Sequence, residues 1–412
     1  MTIAERMQPV LTPAWLGSDP VPTAPYASAE HYALEQAHIF RDGWIYIGQE
    51  AEVPEPGAFV VKAFEACDAS VLITRTKSGN LRAFHNICSH RGNRLVWEDS
   101  GSASRFVCNY HAWTFDRDGE LRGVTDSSMF FDLDRKKCGL SPIHLACWRG
   151  FMFLNFAQTP EAPLIDYLGG LGEKLAPYPF EKYSNSVKIC GIYEGNWKVA
   201  FDAFQESYHL GYLHKNTIGP FFGAGLNPSG RMISAEFFGP HRSGSIWGND
   251  DVRPRPIEST ALRFGGLIVA GDHADGAPLS DDLPPSINPL RDPNWALEMN
   301  VFFPNLIVFV NRQGFIVHSA FPLSHDRTRW EAEMFFQPIS SGRQAFAQQF
   351  QLALSRDTFV EDGATINFTQ QGLRSGALKH FQFQDNEVFP RHSHAVIQQR
   401  IAARISRGAQ PG

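Results

Sequence analysis

The pattern of apolar and polar positions divides the chain into a strand-rich part and a part that combines helices with longer strands. Before the strands, a proline-rich arm leads into residues 28–40, where apolar positions recur at helical spacing and Ser28 can cap the first turn. Short runs of branched and aromatic residues then alternate with turn residues at positions 44–47, 59–61, 70–74 and 150–156. Such runs predict a small all-β domain.

A connector rich in proline and alanine near residue 160 precedes the second part. An antiparallel sheet is favoured there by strand patterns at residues 187–193, 301–303, 306–310, 315–317 and 330–336. Residues 196–214 are predicted to form one helix that loosens at Gly211. Two further helices are predicted at residues 343–356 and 357–372, the second stopped by Gly372.

These patterns predict three segments. They are an N-terminal arm and helix over residues 1–43, an all-β domain over 44–157 and a second domain over 158–412. The fold class is therefore predicted as α+β. A chain of 412 residues is long enough to bury two separate apolar cores.

The composition argues against several kinds of partner and compartment. The net charge is -6 and the chain has no run of Lys or Arg longer than three residues, so we expect neither nucleic acid nor a membrane surface as a partner. No basic and apolar leader is present at the start, and no apolar run approaches the ~20 residues of a membrane span. We therefore expect a cytoplasmic protein, with the scattered Cys67, Cys138, Cys147 and Cys190 buried as small apolar residues.

Two short segments carry paired cysteine and histidine residues. Cys88 and His90 form a C-x-H pair, seventeen residues separate His90 from Cys108, and Cys108 and His111 form a C-x-x-H pair. These thiolates and imidazoles could hold zinc or an iron–sulfur centre. A structural zinc site most often keeps its cysteines in one pair and its histidines in the other, whereas each pair here mixes the two. The pairing therefore favours a [2Fe–2S] cluster with two cysteines on one iron and two histidines on the other.

A second group of candidate ligands lies in residues 196–214. His209 and His214 with one carboxylate would form the facial triad of a non-haem Fe(II) site, which leaves positions open for dioxygen. On an ideal helix the two histidines point about 140° apart, so both reach one metal only if the helix unwinds. Glu206 is the local carboxylate, and the acidic residues between 357 and 362 provide the second candidate. The residue pattern leaves both open, and His318 is expected to be structural.

Both groups resemble one known family. Cys88-x-His90-Arg91-Gly92 with Cys108-x-x-His111-x-Trp113 is similar to the Rieske motif. Asn196-Trp197-Lys198 followed by Glu206-x-Tyr208-His209-x₄-His214 resembles the mononuclear-iron segment of Rieske ring-hydroxylating oxygenases, large (α) subunit. Glu361-Asp362-x₇-Gln370-x-Gly372-Leu373 resembles that family's C-terminal motif. The resemblance extends through both domains and implies an all-β Rieske domain followed by a helix-grip catalytic domain, an antiparallel sheet with helices.

The resemblance also implies roles for individual residues. Cluster binding would fall to Cys88, His90, Cys108 and His111, and binding of a mononuclear Fe(II) to His209, His214 and Asp362. Glu206 would link an iron-ligand histidine to a cluster histidine of a neighbouring subunit. Asp202 stands where family members often have asparagine, so it either contacts the substrate region or is a buried acid with a hydrogen-bond partner. Ala112 replaces a glycine that is common after the second cluster histidine.

The implied function is that of the terminal oxygenase component of a ring-hydroxylating system. Such a component uses O₂ to hydroxylate an aromatic or polycyclic apolar substrate in aromatic hydrocarbon catabolism. Because the chain has no G-x-G-x-x-G nucleotide fingerprint, electrons would come from NAD(P)H through a separate reductase, directly or through a ferredoxin. The family resemblance implies a homotrimer or an α₃β₃ assembly. Two alternatives remain open, an O- or N-demethylating monooxygenase and a Rieske electron-transfer protein without oxygenase activity.

Overall fold

A computed structural model describes residues 10–225, 227–264 and 283–408 of the chain. It divides into a smaller unit, Gln36–Tyr167, and a larger unit formed by Met1–Glu35 together with Leu168–Gly412. The proposed domain boundaries at residues 43 and 157 remain predictions, because the compact units divide at residues 35 and 167. The described part of the N-terminal arm therefore belongs to the larger unit, and residues 1–9 of the arm lie outside the described residues.

The described residues contain α-helices, a π-helical turn and short 3₁₀ turns. The α-helices are α1 (Ala29–Glu35), α2 (Leu164–Leu175), α3 (Trp197–Ala203), α4 (Leu210–Leu213), α5 (Pro256–Arg263), α6 (Gly342–Arg374) and α7 (Val388–Gly408). The π-helical turn Gln36–Phe40 continues α1. The 3₁₀ turns are Ala14–Leu16, Ala24–Tyr26, Glu50–Glu52, Glu65–Cys67, Ser127–Met129, Arg135–Lys137, Phe180–Lys182, Gly219–Phe221 and Asp385–Glu387. Ser28 caps α1 as predicted, because its Oγ accepts the backbone N–H of His31 at 3.0 Å.

The strands fall into two main groups along the chain. The first group is β1 (Val21–Pro22), β2 (Ile45–Gln49), β3 (Ala58–Phe64), β4 (Ala69–Arg75), β5 (Leu81–His85), β6 (Ser100–Ser102), β7 (Arg105–Val107), β8 (Thr114–Asp116), β9 (Leu121–Gly123), β10 (Pro142–Trp148) and β11 (Phe151–Asn155). The second group is β12 (Asn185–Tyr193), β13 (Ser234–Phe238), β14 (His241–Trp247), β15 (Trp295–Phe302), β16 (Leu306–Val310), β17 (Gly314–Ser324), β18 (Arg327–Phe336) and β19 (His380–Phe381).

Antiparallel sheets build the smaller unit. One sheet has the order β2-β11-β10-β5-β4-β3-β6, and a second has the order β7-β8-β9. Both contribute to one apolar core, in which Phe59 of the first sheet packs on Phe106 of the second with ring centroids 5.6 Å apart. Cys88 and Cys108 belong to the same core. The core therefore fixes the two segments that carry the paired cysteines and histidines, and the all-β prediction for this region is confirmed.

The larger unit contains a sheet with the order β12-β18-β17-β16-β15-β14-β13, in which all neighbours are antiparallel. The strand predicted at residues 330–336 is confirmed as part of β18, where Trp330, Ala332 and Met334 are buried. Helix α6 lies against β12 and α3. This arrangement of helices on an antiparallel sheet agrees with the predicted α+β class.

Three of the predicted helices are wrong in detail. The helix predicted over residues 196–214 ends at Ala203 and resumes only in α4, so the break spans residues 204–209 and does not lie at Gly211. The Glu206 carboxylate stabilises the break, because it accepts the backbone N–H groups of Tyr208 and His209. The helices predicted at 343–356 and 357–372 form the single helix α6, which passes through Gly372.

The cysteines differ in part from expectation. All six lie in the described part of the chain and are free thiols. Cys67 is buried as predicted and Cys138 is half-buried, but Cys147 and Cys190 are exposed. Within the described ranges, no helix combines the length and apolarity needed to cross a bilayer.

Candidate metal centres

The first candidate centre lies in the smaller unit, in two loops of the same backbone design. Each loop begins with a cysteine whose carbonyl accepts the N–H group four residues later, Gly92 to Cys88 and Ala112 to Cys108, both at 2.9 Å. Gly92 and Ala112 have positive φ angles of 74° and 55°. Ala112 thus holds a left-handed conformation that costs a non-glycine residue about 1–2 kcal/mol. The replacement of glycine noted in the sequence therefore carries a conformational cost.

The side chains of the two loops face one another. The rings of His90 and His111 have centroids 4.7 Å apart, and Cys88 and Cys108 belong to one cluster of buried side chains. Both cysteines are buried, which raises the pKa of Cys88. Burial also opposes ionisation of Cys108, but hydrogen bonds from its surroundings, first from the backbone of Tyr110, outweigh burial and lower its pKa.

The first centre has the donors that an iron–sulfur cluster requires. Thiolates are the form of cysteine that binds metal, and the backbone N–H groups around Cys108 favour that form. His90 Nδ1 is buried without a hydrogen-bond partner among the described residues, so its lone pair is available to a metal. The His90 ring is held in place by stacking on Trp113, with centroids 4.7 Å apart and planes 9° from parallel. The site therefore fits a cluster with mixed cysteine and histidine ligands.

The second candidate centre lies in the larger unit, around α4 and α6. His209 directly precedes the four-residue helix α4 and His214 directly follows it, so both imidazoles leave the same short element. Asp362 projects from α6, and its Oδ1 lies 3.1 Å from His214 Nε2 and 3.7 Å from His209 Nε2. The three ligand atoms lie within 4.8 Å of one another. The structure thus brings together the three residues that the resemblance assigned to iron.

The arrangement of these three side chains suits metal binding better than hydrogen bonding among themselves. Asp362 is buried, and its Oδ1 makes no hydrogen bond to any described residue despite the short distance to His214. A buried carboxylate oxygen without a partner is costly unless a cation binds it. Two imidazoles and one carboxylate form the ligand set of non-haem iron.

Each of the two histidines also contacts a glutamate carboxylate through its Nδ1 atom. Glu206 Oε1 pairs with His209 Nδ1, and Glu361 Oε2 lies 2.7 Å from His214 Nδ1. The Thr217 hydroxyl donates to the same Glu361 oxygen at 2.8 Å. When Nδ1–H of each ring donates to a carboxylate, the Nε2 lone pair is left for a metal. Burial lowers the pKa of His209, but the charge and hydrogen bond of Glu206 outweigh burial and raise it.

Close packing fixes α6 against the segment that carries the histidines. Asn196 caps α3, with its Oδ1 accepting the Lys198 N–H at 3.0 Å, and its own N–H donates to Gln370 Oε1 at 2.8 Å. Gly363, next to Asp362, allows α6 to approach Tyr193: a Cβ at Gly363 would lie 2.8 Å from Tyr193 Cε1. The glycine therefore helps to set the position of the carboxylate.

A cavity opens on this centre, and the space in it that protein atoms do not fill, open solvent included, is about 680 Å³. Side chains of the metal centre line one part of it, Glu206, His209, His214 and Asp362. Apolar residues form most of the remaining wall, Ala203, Phe204, Leu210, Ile218, Phe222, Ile246, Leu297, Met299, Phe309, Ile316 and Phe359. The other polar lining residues are Ser207, His318, Ser355 and Thr358. Such a wall suits an apolar ligand placed beside the metal ligands.

Asp202 does not line this cavity. Its Oδ2 accepts the Tyr26 hydroxyl at 2.8 Å, and its Oδ1 accepts Gln205 Nε2 at 2.6 Å. Burial raises the pKa of Asp202 to about 7, although these hydrogen bonds and the charges of Arg242 and Lys198 lower it. Of the two possibilities left open by the sequence, the structure shows the acid with hydrogen-bond partners.

Two residues of this site have no functional role in the predictions from sequence: Glu361, which is named only as part of the C-terminal motif, and His318, which is predicted to be structural. Glu361 directly precedes Asp362, and adjacent helix residues point about 100° apart, so the pair could have been expected to reach different parts of one site. His318 stands in an otherwise apolar strand, a position that a structural histidine occupies equally well.

Two family models of known proteins match separate parts of the chain. Residues 178–403 match the family model described as "Ring hydroxylating alpha subunit (catalytic domain)", and residues 43–133 match "Rieske [2Fe-2S] domain". The glycine betaine monooxygenase oxygenase subunit of Chromohalobacter salexigens is 31% identical over 198 residues, 48% of this chain and 44% of that protein. The large oxygenase component of the naphthalene 1,2-dioxygenase system of Ralstonia sp. is 30% identical over 260 residues, 58% of this chain and 57% of that protein. These matches span about half the length of the curated relatives.

Solved structures resemble nearly the whole chain. Naphthalene 1,2-dioxygenase from Rhodococcus sp. bound to indole has a TM-score of 0.72 and 19% identity, and the match covers 93% of this chain and 94% of that one. A quaternary ammonium Rieske monooxygenase with an inhibitor has a TM-score of 0.72 and 20% identity, covering 92% and 94%. At these identities the likeness shows the fold alone.

The Rieske domain and the centre of two histidines and one carboxylate define a class of enzyme, the Rieske non-haem iron oxygenases. The chain belongs to the family of ring-hydroxylating alpha subunits, because the catalytic-domain model covers more than half of it. The predicted fold class, enzyme class and cofactors are thereby confirmed, the cofactors being a Rieske [2Fe–2S] cluster and a mononuclear iron. The assignment of individual ligands remains a prediction.

Proposed function

We propose that this chain is the terminal oxygenase component of a multicomponent system that hydroxylates an aromatic or polycyclic apolar substrate. The observation that carries the proposal is the cavity, whose largely apolar wall meets the three candidate iron ligands directly. An apolar substrate in this cavity would lie beside the metal without the loss of any strong polar contact. The reaction would consume O₂ and two electrons that originate in NAD(P)H.

Each group of residues has a distinct task in this proposal. Cys88, His90, Cys108 and His111 would hold the cluster, and His209, His214 and Asp362 the iron. When bound, the two groups supply one-electron transfer and activation of dioxygen. Glu206 and Glu361 orient the two imidazoles through Nδ1, so that both Nε2 atoms face the same point. The apolar wall excludes water from that point.

The assembly and the route of electrons are part of the proposal. We propose a trimer, with or without a second type of subunit, in which Glu206 links His209 to a cluster histidine of a neighbouring chain. Support comes from the region around the cluster loops, where Val107, Tyr110, Met129 and Phe131 are exposed apolar or aromatic side chains that suit a protein interface. Asp202 would then act as a positioning residue, since its hydrogen-bonded carboxylate lies outside the cavity wall.

The partner and compartment follow from the chemistry of the proposed function. We propose that a separate NAD(P)H-dependent reductase supplies the electrons, directly or through a ferredoxin, as part of aromatic hydrocarbon catabolism. We also propose a cytoplasmic location. Its support is that the four cysteines outside the proposed cluster, Cys67, Cys138, Cys147 and Cys190, form no disulfide in the described part of the chain, as expected in a reducing compartment.

A second candidate is oxidative N-demethylation of a quaternary ammonium compound. It is favoured by the relatives named as glycine betaine monooxygenase oxygenase subunits. Against it, no Lys or Arg occurs among the described residues that line the cavity, so a betaine carboxylate would find no cationic partner there.

The test is product analysis with the complete metal-loaded protein, NADH and a surrogate reductase. The proposal predicts that a bicyclic arene is converted to a hydroxylated product that retains all its carbon atoms. In a cis-dihydrodiol, both atoms of ¹⁸O₂ would appear in the ring. Release of formaldehyde from glycine betaine without oxidation of any arene would establish the second candidate instead.

A further inference from the structure

His318 occupies a distinctive position in the cavity wall. It lies on β17, two residues after Ile316, so both side chains leave the same face of the sheet, and both line the cavity. Its side chain is buried, with 1% of the residue surface exposed. His318 is thus the one polar residue that this strand places in the wall, among the residues that the structure describes.

The surroundings of the His318 ring are aromatic. The rings of Phe204, Phe309 and Phe359 have centroids 5.0, 5.1 and 5.2 Å from it, and all three also line the cavity. Trp330 lies at 5.5 Å on the neighbouring strand. Burial among these rings lowers the pKa of His318 to about 3, so the imidazole is neutral and offers one N–H donor and one lone pair.

One nitrogen of this ring has no partner. His318 Nδ1 is buried and makes no hydrogen bond to any described residue. The other polar side chains of the wall that do not belong to the metal centre are satisfied within the protein. The hydroxyls of Ser207 and Thr358 donate to backbone carbonyls at 2.6 and 2.9 Å, and Ser355 Oγ accepts Gln351 Nε2 at 3.1 Å. A buried nitrogen without a partner costs free energy that a ligand can recover.

The charge of the wall limits what the ligand can be. Glu206 and Asp362 are the only charged carboxylates among the described lining residues, and both belong to the metal centre. A charged substituent placed at His318 would be surrounded by aromatic rings, and no Lys or Arg among the described lining residues could pair with an anionic one. A neutral polar atom meets no such penalty.

We propose that His318 is a substrate-positioning residue, and that the cavity takes a neutral, largely apolar ring compound whose single polar atom hydrogen-bonds to the His318 ring. This inference rests on the proposed function and names the class of substrate for the same site. A hydroxyl group, a carbonyl oxygen or a ring heteroatom would serve. The contact would fix which edge of the ring system faces the iron ligands.

The test compares two ligands that differ only in the polar atom. 1-Indanol and 1-methylindane share one ring system and one substituent size, and the hydroxyl can donate or accept, so it serves either tautomer of His318. Dissociation constants are measured by calorimetry on the metal-loaded protein without reductant, so no turnover occurs. Indane-1-carboxylate is the charged comparison.

The expected result is a preference for 1-indanol that depends on His318. Relative to wild type, His318→Phe should reduce the preference for 1-indanol over 1-methylindane by about 2- to 13-fold, the range of one net hydrogen bond. Binding of 1-methylindane should stay within about 2-fold, because phenylalanine retains the ring. His318→Asn, whose amide can replace Nδ1, should restore part of the preference. A purely structural role would change the binding of both ligands alike.

Two results would overturn the inference. One is an unchanged preference in His318→Phe, which would mean that a water or another group satisfies the imidazole. The other is tighter binding of indane-1-carboxylate than of 1-indanol, which would mean recognition of a charge. If neither variant folds, a crystal structure of the wild type with 1-indanol decides, since the hydroxyl oxygen must lie about 3 Å from a His318 nitrogen. Failure of the proposed function appears separately, as an absence of any oxidised arene in the product assay.

Discussion

The Glu361→Gln substitution isolates the contribution of a residue that touches an iron ligand but is not one itself. Glu361 Oε2 lies 2.7 Å from His214 Nδ1 and 2.8 Å from the Thr217 hydroxyl. Glutamine keeps the size of the side chain and a carbonyl oxygen that can accept a hydrogen bond, but it removes the negative charge. The change therefore weakens the support of His214 and leaves its space filled.

The magnitude follows from the type of hydrogen bond that is lost. A charge-assisted hydrogen bond is about twice as strong as a neutral one, and loss of a partner that orients a metal-binding histidine costs about 10–100-fold in metal affinity. Because glutamine retains a neutral hydrogen bond, we expect the lower limit, about 10-fold or ~1.4 kcal/mol. The cluster lies in the other compact unit, so its visible spectrum should not change.

The assay is competition for ferrous iron between the anaerobic protein and a chelator, followed by iron analysis. Asp357→Asn is the matched control, because Asp357 is on the same helix, is exposed and pairs only with Arg356 among the described residues. The control should retain wild-type affinity. Equal affinities in wild type and Glu361→Gln, or an equal loss in the control, would refute the role assigned to Glu361.

Three further predictions test other parts of the structure. Gly363→Ala should destabilise the protein by about 1–3 kcal/mol, seen as a lower Tm, and weaken binding of the mononuclear iron, because the new Cβ would lie 2.8 Å from the Tyr193 ring. Gly372→Ala, with open space around the new Cβ, should not lower the Tm. Equal effects of the two substitutions would contradict the close packing of α6. Burial raises the pKa of Asp202 from 3.8 to about 7, so this carboxyl group destabilises the folded protein increasingly as the pH rises between these values. The Tm of Asp202→Asn minus the Tm of wild type should therefore grow from pH 5 to pH 8. A difference that does not change with pH would show that the pKa of Asp202 is not raised. Ala112→Gly should raise the Tm of the cluster-loaded protein, because glycine adopts the φ of 55° without the backbone strain of about 1 kcal/mol that alanine has there. A lower Tm would contradict a strained loop.

Sequence patterns predicted helices and strands correctly where the local pattern of apolar residues agrees with the packing in the folded chain. The predicted strand at 306–310 coincides with β16, because a short run of branched and aromatic residues has few other stable uses. The family motifs named Asp362, which lies far along the chain from His209 and His214 yet meets them in space. Periodicity could not have supplied that contact, since it comes from the packing of α6 against β12 and α3.

The errors arise where side chains override local preference. Residues 204–209 are compatible with a helix, and the break there depends on the Glu206 carboxylate binding two backbone N–H groups. Gly211 instead permits a close approach, since a Cβ there would lie 3.2 Å from the Pro228 carbonyl oxygen. Gly372 predicts the end of a helix, but the helix continues to Arg374. Glycine marks a helix end only when the following residues cannot extend the helix.

We propose that the chain holds a two-iron cluster in one unit and a single iron on His209, His214 and Asp362 in the other. The most direct measurement is the iron and acid-labile sulfide content of anaerobically reconstituted wild type and Asp362→Ala, with the visible spectrum recorded on the same samples. We expect three irons and two sulfides per wild-type chain, and two of each, with an unchanged cluster spectrum, in the variant. Zinc in place of iron, only two irons in wild type, or loss of the cluster in Asp362→Ala would contradict this assignment of the irons.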